Sequence, residues 1–247
     1  MGIFLETFGS GDPVVLLHGT PTAPDHMRPL AKRLAARWQA LLVHLPGYGR
    51  SPALDEPYEL PRSYELLEDE LAMRDISAVH YVGFSGGSYR SFAMAIRRRI
   101  AARSIFTLGA VFQPQPQLAA WGPVLRAPTP ALPPLAPLFL SNKGLTNPAW
   151  VAEVETWGTA VAPLALASEF EAIGIAPDLG PDIAQLGVPM TLRVGTEDGA
   201  TPVAMTEALA KLVPQATVQI VQDAGHALLT EDFDATAAAI ETHLGRV

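Results

Sequence analysis

The chain has 247 residues, 49% of them apolar, with 17 Lys+Arg against 25 Asp+Glu for a formal charge of −8. The acidity excludes a basic nucleic-acid binder, and the apolar share excludes disorder and suffices for the core of one large α/β domain. Cysteine is absent, which removes disulfides, thiolate zinc sites, iron–sulfur clusters and a Cys nucleophile. The N-terminal segment carries Glu6 and glycines where a secretory leader would be basic and then apolar. No apolar run reaches the roughly 18–20 residues of a membrane span. A cytoplasmic protein without nucleic-acid or membrane partners is expected; oligomeric state stays open.

In chain order, segments rich in Val, Leu and Ile alternate with longer helical patterns, the mark of strand–helix–strand units on a mostly parallel sheet. The first clear strand is Val14–Leu17, apolar at every position, as a strand covered on both faces requires. A helix over Asp25–Arg37 follows, with Leu30, Ala31 and Leu34 on one stripe, then a strand over Ala40–Leu45. An amphipathic helix over Arg62–Asp75 leads to a third strand, His80–Phe84. The next helix, Ser88–Ile100, ends in Arg97, Arg98 and Arg99, cations that suit the negative end of a helix dipole and read as a solvated terminus. Ile105–Val111 is the fourth strand.

Composition then changes. Residues 113–181 hold 12 of the 23 prolines, together with Trp121, Trp150 and Trp157. Alternation resumes with strand Met190–Gly195, helix Pro202–Val213, strand Thr217–Val221 and a last helix over Asp232–Leu244. The expected layout is an α/β core, residues 1–112 and 182–247, interrupted by an insertion, 113–181, of short helices over a crevice.

The strongest local signal is Gly83-Phe84-Ser85-Gly86-Gly87, a G-x-S-x-G between a strand and a helix. A sharp turn there holds the Ser in a strained conformation, and the flanking glycines prevent clashes as its hydroxyl projects above the sheet. A serine hydroxyl needs a base, and the base an orienting acid. Asp198 lies just beyond strand Met190–Gly195 and His226 just beyond strand Thr217–Val221. A parallel sheet gathers the carboxyl ends of its strands into one crevice, so Ser85, Asp198 and His226 converge there. His18-Gly19-Thr20-Pro21 follows the first strand, where Gly lets the backbone come close and an N–H can point at an oxyanion. The Gly86 N–H, next after the nucleophile, is the second donor.

These segments resemble the α/β-hydrolase superfamily, in its small capped branch of esterases, lactonases, carbon–carbon hydrolases and proline iminopeptidases. The matching stretches are HGTP at 18–21, LPGYGRS at 45–51, GFSGGS at 83–88, GTEDGATP at 195–202 and AGH at 224–226. The resemblance implies a mostly parallel central sheet with helices on both faces and a helical cap. It implies Ser85 as nucleophile, His226 as base, Asp198 as orienting acid, and Thr20 and Gly86 as oxyanion donors. Glu197 competes with Asp198, and the fourth position of Gly-x-x-Asp favours Asp198. The short N-terminal stretch implies that outer antiparallel strands are truncated or missing.

The implied function is a serine hydrolase that cleaves a carboxylic ester of a fairly apolar, uncharged small molecule through an acyl-enzyme on Ser85. Phe84, Trp121, Phe139 and Trp157 are expected to touch that substrate. A lactone, a carbon–carbon bond of a diketone or an N-terminal prolyl peptide are alternatives for the same triad. The diketone would need Arg90 for a carboxylate, and the peptide an acid among Glu153, Glu155, Glu169 and Glu171. A non-catalytic binding protein on the hydrolase fold is the alternative from another class. Neither metal nor cofactor is expected: the histidines show no i, i+4 pair or H-E-x-x-H, and Gly47-x-Gly49 lacks the third Gly of a dinucleotide loop. His18 and His44 read as structural.

Overall fold

The computed structural model describes residues 2–55, 58–130, 132–159 and 161–247. Its strands are β1 (Phe4–Phe8), β2 (Pro13–Leu17), β3 (Gln39–His44), β4 (Ala78–Phe84), β5 (Ala101–Leu108), β6 (Met190–Gly195) and β7 (Thr217–Val221). They form one sheet in the order β1-β3-β2-β4-β5-β6-β7. Every pairing is parallel except β1 against β3. Strand β1 is the one antiparallel outer strand among the described residues. Its FLETF segment is too short and mixed to stand out, and it is fixed by its ladder from Phe4–His44 to Phe8–Ala40.

Helices α1 (Pro24–Leu34), α2 (Leu60–Met73) and α3 (Gly86–Arg97) join the parallel strands up to β5. Between β5 and β6 run α4 (Pro116–Ala119), α5 (Gly122–Leu125), α6 (Ala136–Phe139), α7 (Pro148–Thr156), α8 (Pro163–Gly174) and α9 (Gly180–Ile183). Then α10 (Val203–Leu212) precedes β7, and α11 (Leu228–Glu231) and α12 (Phe233–Leu244) follow it. Among the described residues no helix is long and apolar enough to cross a membrane.

The period of two along each strand decides which helices cover which face. Val14, Leu16, Leu42, Val82 and Phe106 pack with Met27, Leu30 and Leu34 of α1 and Ile240 and Leu244 of α12. Val15, Leu17, Leu41, Val43, Tyr81 and Ile105 face Leu67 and Leu71 of α2 and Phe92 and Met94 of α3. Each fully buried Leu or Phe contributes about 1.5–3 kcal/mol by leaving water.

The arginine run is more than a solvated terminus. Arg97 forks onto the buried Glu68 of α2, with Nε at 2.8 Å and Nη2 at 3.0 Å, and Arg99 Nη2 reaches Asp69 at 2.6 Å. A buried carboxylate is tolerated only when paired. Two of the three cations therefore pin the end of α3 to α2. The two ends of the segment between β5 and β6 are joined by the Leu179 N–H, which donates to the Phe112 carbonyl at 2.8 Å, and its middle is held to the loop after β7 by the Ala227 N–H, which donates to the Phe139 carbonyl at 2.9 Å.

Candidate active site

Ser85 sits between β4 and α3 with φ 52° and ψ −121°, a conformation that costs a non-glycine residue free energy of order 1–3 kcal/mol. The surroundings impose it. The Ser85 N–H donates to the Leu108 carbonyl at 2.8 Å, continuing the β4–β5 ladder, and its own carbonyl accepts the Ser88 N–H at 2.8 Å. The Ser88 hydroxyl also donates to that carbonyl, and accepts the Val111 N–H at 2.7 Å. Glycine at 87 is required by close approach, since a Cβ there would lie 2.0 Å from the Leu17 carbonyl oxygen. The G-x-S-x-G pattern is thus the sequence trace of a helix pressed directly onto β2.

Asp198 and His226 lie in the loops after β6 and β7. His226 Nδ1 donates to Asp198 Oδ2 at 2.8 Å, with both side chains buried. The carboxylate acceptor fixes the proton on Nδ1, which leaves Nε2 as the basic atom; it is buried without a hydrogen-bond partner among the described residues. Asp198 is itself held: Oδ1 accepts the Ala200 and Thr201 N–H groups at 3.0 and 2.6 Å, and Oδ2 the Thr201 hydroxyl at 2.8 Å. Sequence reasoning missed Thr201, although the D-x-x-T spacing of an Asp that accepts from the backbone ahead of it was there to be read. Gly109, after β5, was also missed: at φ +63°, its Cβ would lie 2.5 Å from Thr201 Oγ1 and 2.8 Å from His226 Nδ1. Glu197 is engaged elsewhere, accepting the Asn142 N–H at 2.6 Å.

The loop after β2 brings Thr20 beside the elbow. A Cβ on Gly86 would lie 3.2 Å from Thr20 Oγ1, and one on Gly19 would lie 2.9 Å from Ser85 Cβ. His18 is wholly buried; its Nδ1 donates to the Gly19 carbonyl at 2.9 Å and its Nε2 accepts the Leu45 N–H at 3.4 Å. Burial holds its pKa down at about 3, so the ring is neutral and can make both bonds. His44 likewise accepts the Arg50 N–H at 3.1 Å. Both bind loops to the sheet.

A cavity of about 160 Å³ opens over Ser85, lined by Thr20, Trp121, Leu135, Leu138, Phe139, Phe170 and Thr201 among others. None of the described lining residues is charged. Trp121 and Phe139 are in this wall. Phe84 and Trp157 are not among its described residues. Phe84 shares a face of β4 with Val82 and stacks on His226 at 4.8 Å and His26 at 5.1 Å. Trp157 packs edge-on against His26 at 4.6 Å and Phe139 at 5.4 Å. Both rings support the wall. No group of three or more His, Asp or Glu among the described residues is placed to hold a metal ion.

The architecture and this constellation define a class. A family model described as the alpha/beta hydrolase family matches residues 14–239, and the chain belongs to that family. A pimeloyl-[acyl-carrier protein] methyl ester esterase of Aeromonas salmonicida (strain A449) is 31% identical over 109 residues, which cover 44% of this chain and 41% of that protein. The matched stretch is therefore under half the length of that relative. Two solved structures share the fold over nearly the whole chain at 20% identity. One is a thermophilic esterase from Thermogutta terrifontis, TM-score 0.89, covering 99% of this chain and 93% of that one. The other is the enol-lactonase from Burkholderia xenovorans LB400, TM-score 0.88, covering 98% and 96%.

Proposed function

We propose that this chain is a serine esterase for small, uncharged, apolar carboxylic esters, with residues 113–181 acting as the cap over its site. The observation that carries the reading is the strained Ser85 elbow opening into an uncharged cavity, together with a buried histidine after β7 whose Nδ1 is locked on Asp198 and whose Nε2 is left open among the described residues. In this reading His226 Nε2 takes the Ser85 proton as Oγ attacks the ester carbonyl. The tetrahedral oxyanion rests on the Thr20 and Gly86 amides, and the alcohol leaves with the proton from His226. Water activated by the same nitrogen then releases the acid. The name of the curated relative supports ester hydrolysis, and that of the second structure keeps a lactone within reach of the same steps. No cofactor enters this scheme, and a cytoplasmic setting is part of the reading.

The groups that the other substrates need are engaged. Arg90 is buried against Glu169, Glu171 pairs with Arg126 at 2.8 Å, Glu155 accepts the Leu135 and Ala136 N–H groups and Glu153 accepts the Thr230 hydroxyl at 2.9 Å. An ester without a charged end fits this wall.

The cavity is about the size that holds one benzene ring in a protein core, so it accommodates about six non-hydrogen atoms. Turnover of p-nitrophenyl esters is expected to be highest for acetate to butyrate and at least about tenfold lower in kcat/KM at octanoate and beyond. Silence on every ester in the series defeats the esterase reading, and a preference for long chains defeats the size argument. Gly109→Ala is expected to lower kcat about 10²-fold, because the new Cβ pushes His226 off line by the order of 1 Å. Kinetics with circular dichroism check that this loss occurs in folded enzyme.

A further inference from the structure

Behind the loop that carries Thr20 lies a buried polar cluster that the steps above do not use. Arg90 on α3 and Glu169 on α8 form an ion pair, each side chain 1% exposed. A buried ion pair is about as stable as a well-packed apolar pair, so stability alone is a weak reason for it. Its geometry gives a better one, because the pair reaches both residues assigned to the oxyanion. Glu169 Oε1 accepts the Thr20 hydroxyl at 3.0 Å, and Arg90 Nη1 donates to the Gly86 carbonyl at 3.3 Å. Ile173, one turn further along α8, closes over Gly86, where a Cβ would lie 3.1 Å from Ile173 Cδ1.

From this we infer that Glu169, held by Arg90, is a positioning residue for the oxyanion hole, which makes helix α8 of the insertion part of the catalytic apparatus. The inference rests on the esterase reading. An amide donor stabilises an oxyanion only when it is aimed at the position the oxygen reaches in the transition state. Thr20 lies in a loop between β2 and α1, where a backbone is free to tilt. Pinning its hydroxyl to a carboxylate that is itself locked removes that freedom. The orientation is thereby set from α8, 149 residues away in the chain.

Thr20→Val tests this with the amide and the Arg90–Glu169 pair left in place. The expected result on p-nitrophenyl butyrate is a kcat about 10-fold lower, by partial loss of one donor's alignment, at a KM within about twofold. Phenylboronic acid, which forms a tetrahedral adduct on the serine, should bind more weakly by the same factor. Thr20→Ser keeps the hydroxyl and should restore both values. Glu169→Leu removes the same bond and also unpairs Arg90, so it should lose at least as much as Thr20→Val, and the double variant should lose no more than Glu169→Leu alone, since the hydroxyl then has no carboxylate to reach. Should Glu169→Leu fail to fold, Thr20→Val and Thr20→Ser decide alone. Wild-type kcat and boronate affinity in Thr20→Val, or additive losses in the double variant, overturn the inference. Ser85→Ala run alongside separates the two claims: a Ser85→Ala enzyme as active as wild type brings down the esterase reading itself. Boronate affinity is measured by direct binding and needs no ester turnover; wild type that does not bind it overturns both.

Discussion

Ser85→Ala is expected to lower kcat on p-nitrophenyl butyrate by about 10⁶-fold, and Asp198→Asn by about 10⁴-fold, the scale on which serine hydrolases lose rate without a nucleophile or an orienting carboxylate. The two losses have different origins. Ser85→Ala removes the attacking oxygen and leaves the cavity, the histidine and the oxyanion donors in place. Asp198→Asn acts through the tautomer. An Asn side chain can still accept the Ala200 and Thr201 N–H groups on its oxygen, the two bonds that hold Asp198 Oδ1. Its amide nitrogen then meets His226 Nδ1, where the carboxylate accepted at 2.8 Å. Facing a donor, the imidazole carries its proton on Nε2 and no longer serves as a base. Burst titration with an activated ester excludes contaminating wild-type enzyme. A kcat within tenfold of wild type in Asp198→Asn would mean that another acid orients His226. An active Ser85→Ala would remove the nucleophile assignment, and a wild type as silent as the variant would favour a binding protein on this fold.

Ser85, Asp198 and His226 were legible as candidates because each follows a segment read as a strand, and a parallel sheet delivers strand ends to one side. Residues that act through distant partners were not. Arg90 and Glu169 stand 79 positions apart, and each alone reads as a substrate-binding charge or a solvated helix face. The period of two along β4 places Phe84 with Val82 toward α1, a packing role that the motif around Ser85 does not announce. Thr201 carried a readable signal, the D-x-x-T spacing from Asp198, but it stands in a run of turn-forming residues where that spacing is easily passed over. The segment between β5 and β6 was legible as an insertion of short helices, but its proline-rich sequence did not give their bounds. Prolines there stand at helix starts, as at Pro116, Pro148 and Pro163, where a missing N–H costs nothing.

Acidification to pH 5 is expected to cost the fold roughly 4 kcal/mol, about 2 kcal/mol from each of two buried histidines. Burial holds His18 down at about 3 and His243 at about 4, from an ordinary 6.5. Because the folded state refuses a proton that the unfolded chain takes up, this stability is complete above pH 6.5. It declines by about 1.4 kcal/mol per pH unit for each group as pH falls toward the folded values. Burial shifts His44 and His80 the same way. The shifted carboxylates enter later: Glu6, lowered by Arg28, and Glu153, lowered by His26, contribute stability that is lost only as pH falls below 4.5. The fall between 6.5 and 4.5 therefore belongs to the histidines. Urea unfolding at pH 7.5 and 5.0 measures it, and His243→Gln should remove about half the difference. Equal stability at the two values would show that neither ring resists protonation. The consequence reaches the loops through His18. A protonated ring cannot accept the Leu45 N–H that it now holds at 3.4 Å, so acid strong enough to charge His18, below the value at which His243 titrates, frees the loop after β3 while the Nδ1 bond to the Gly19 carbonyl stays.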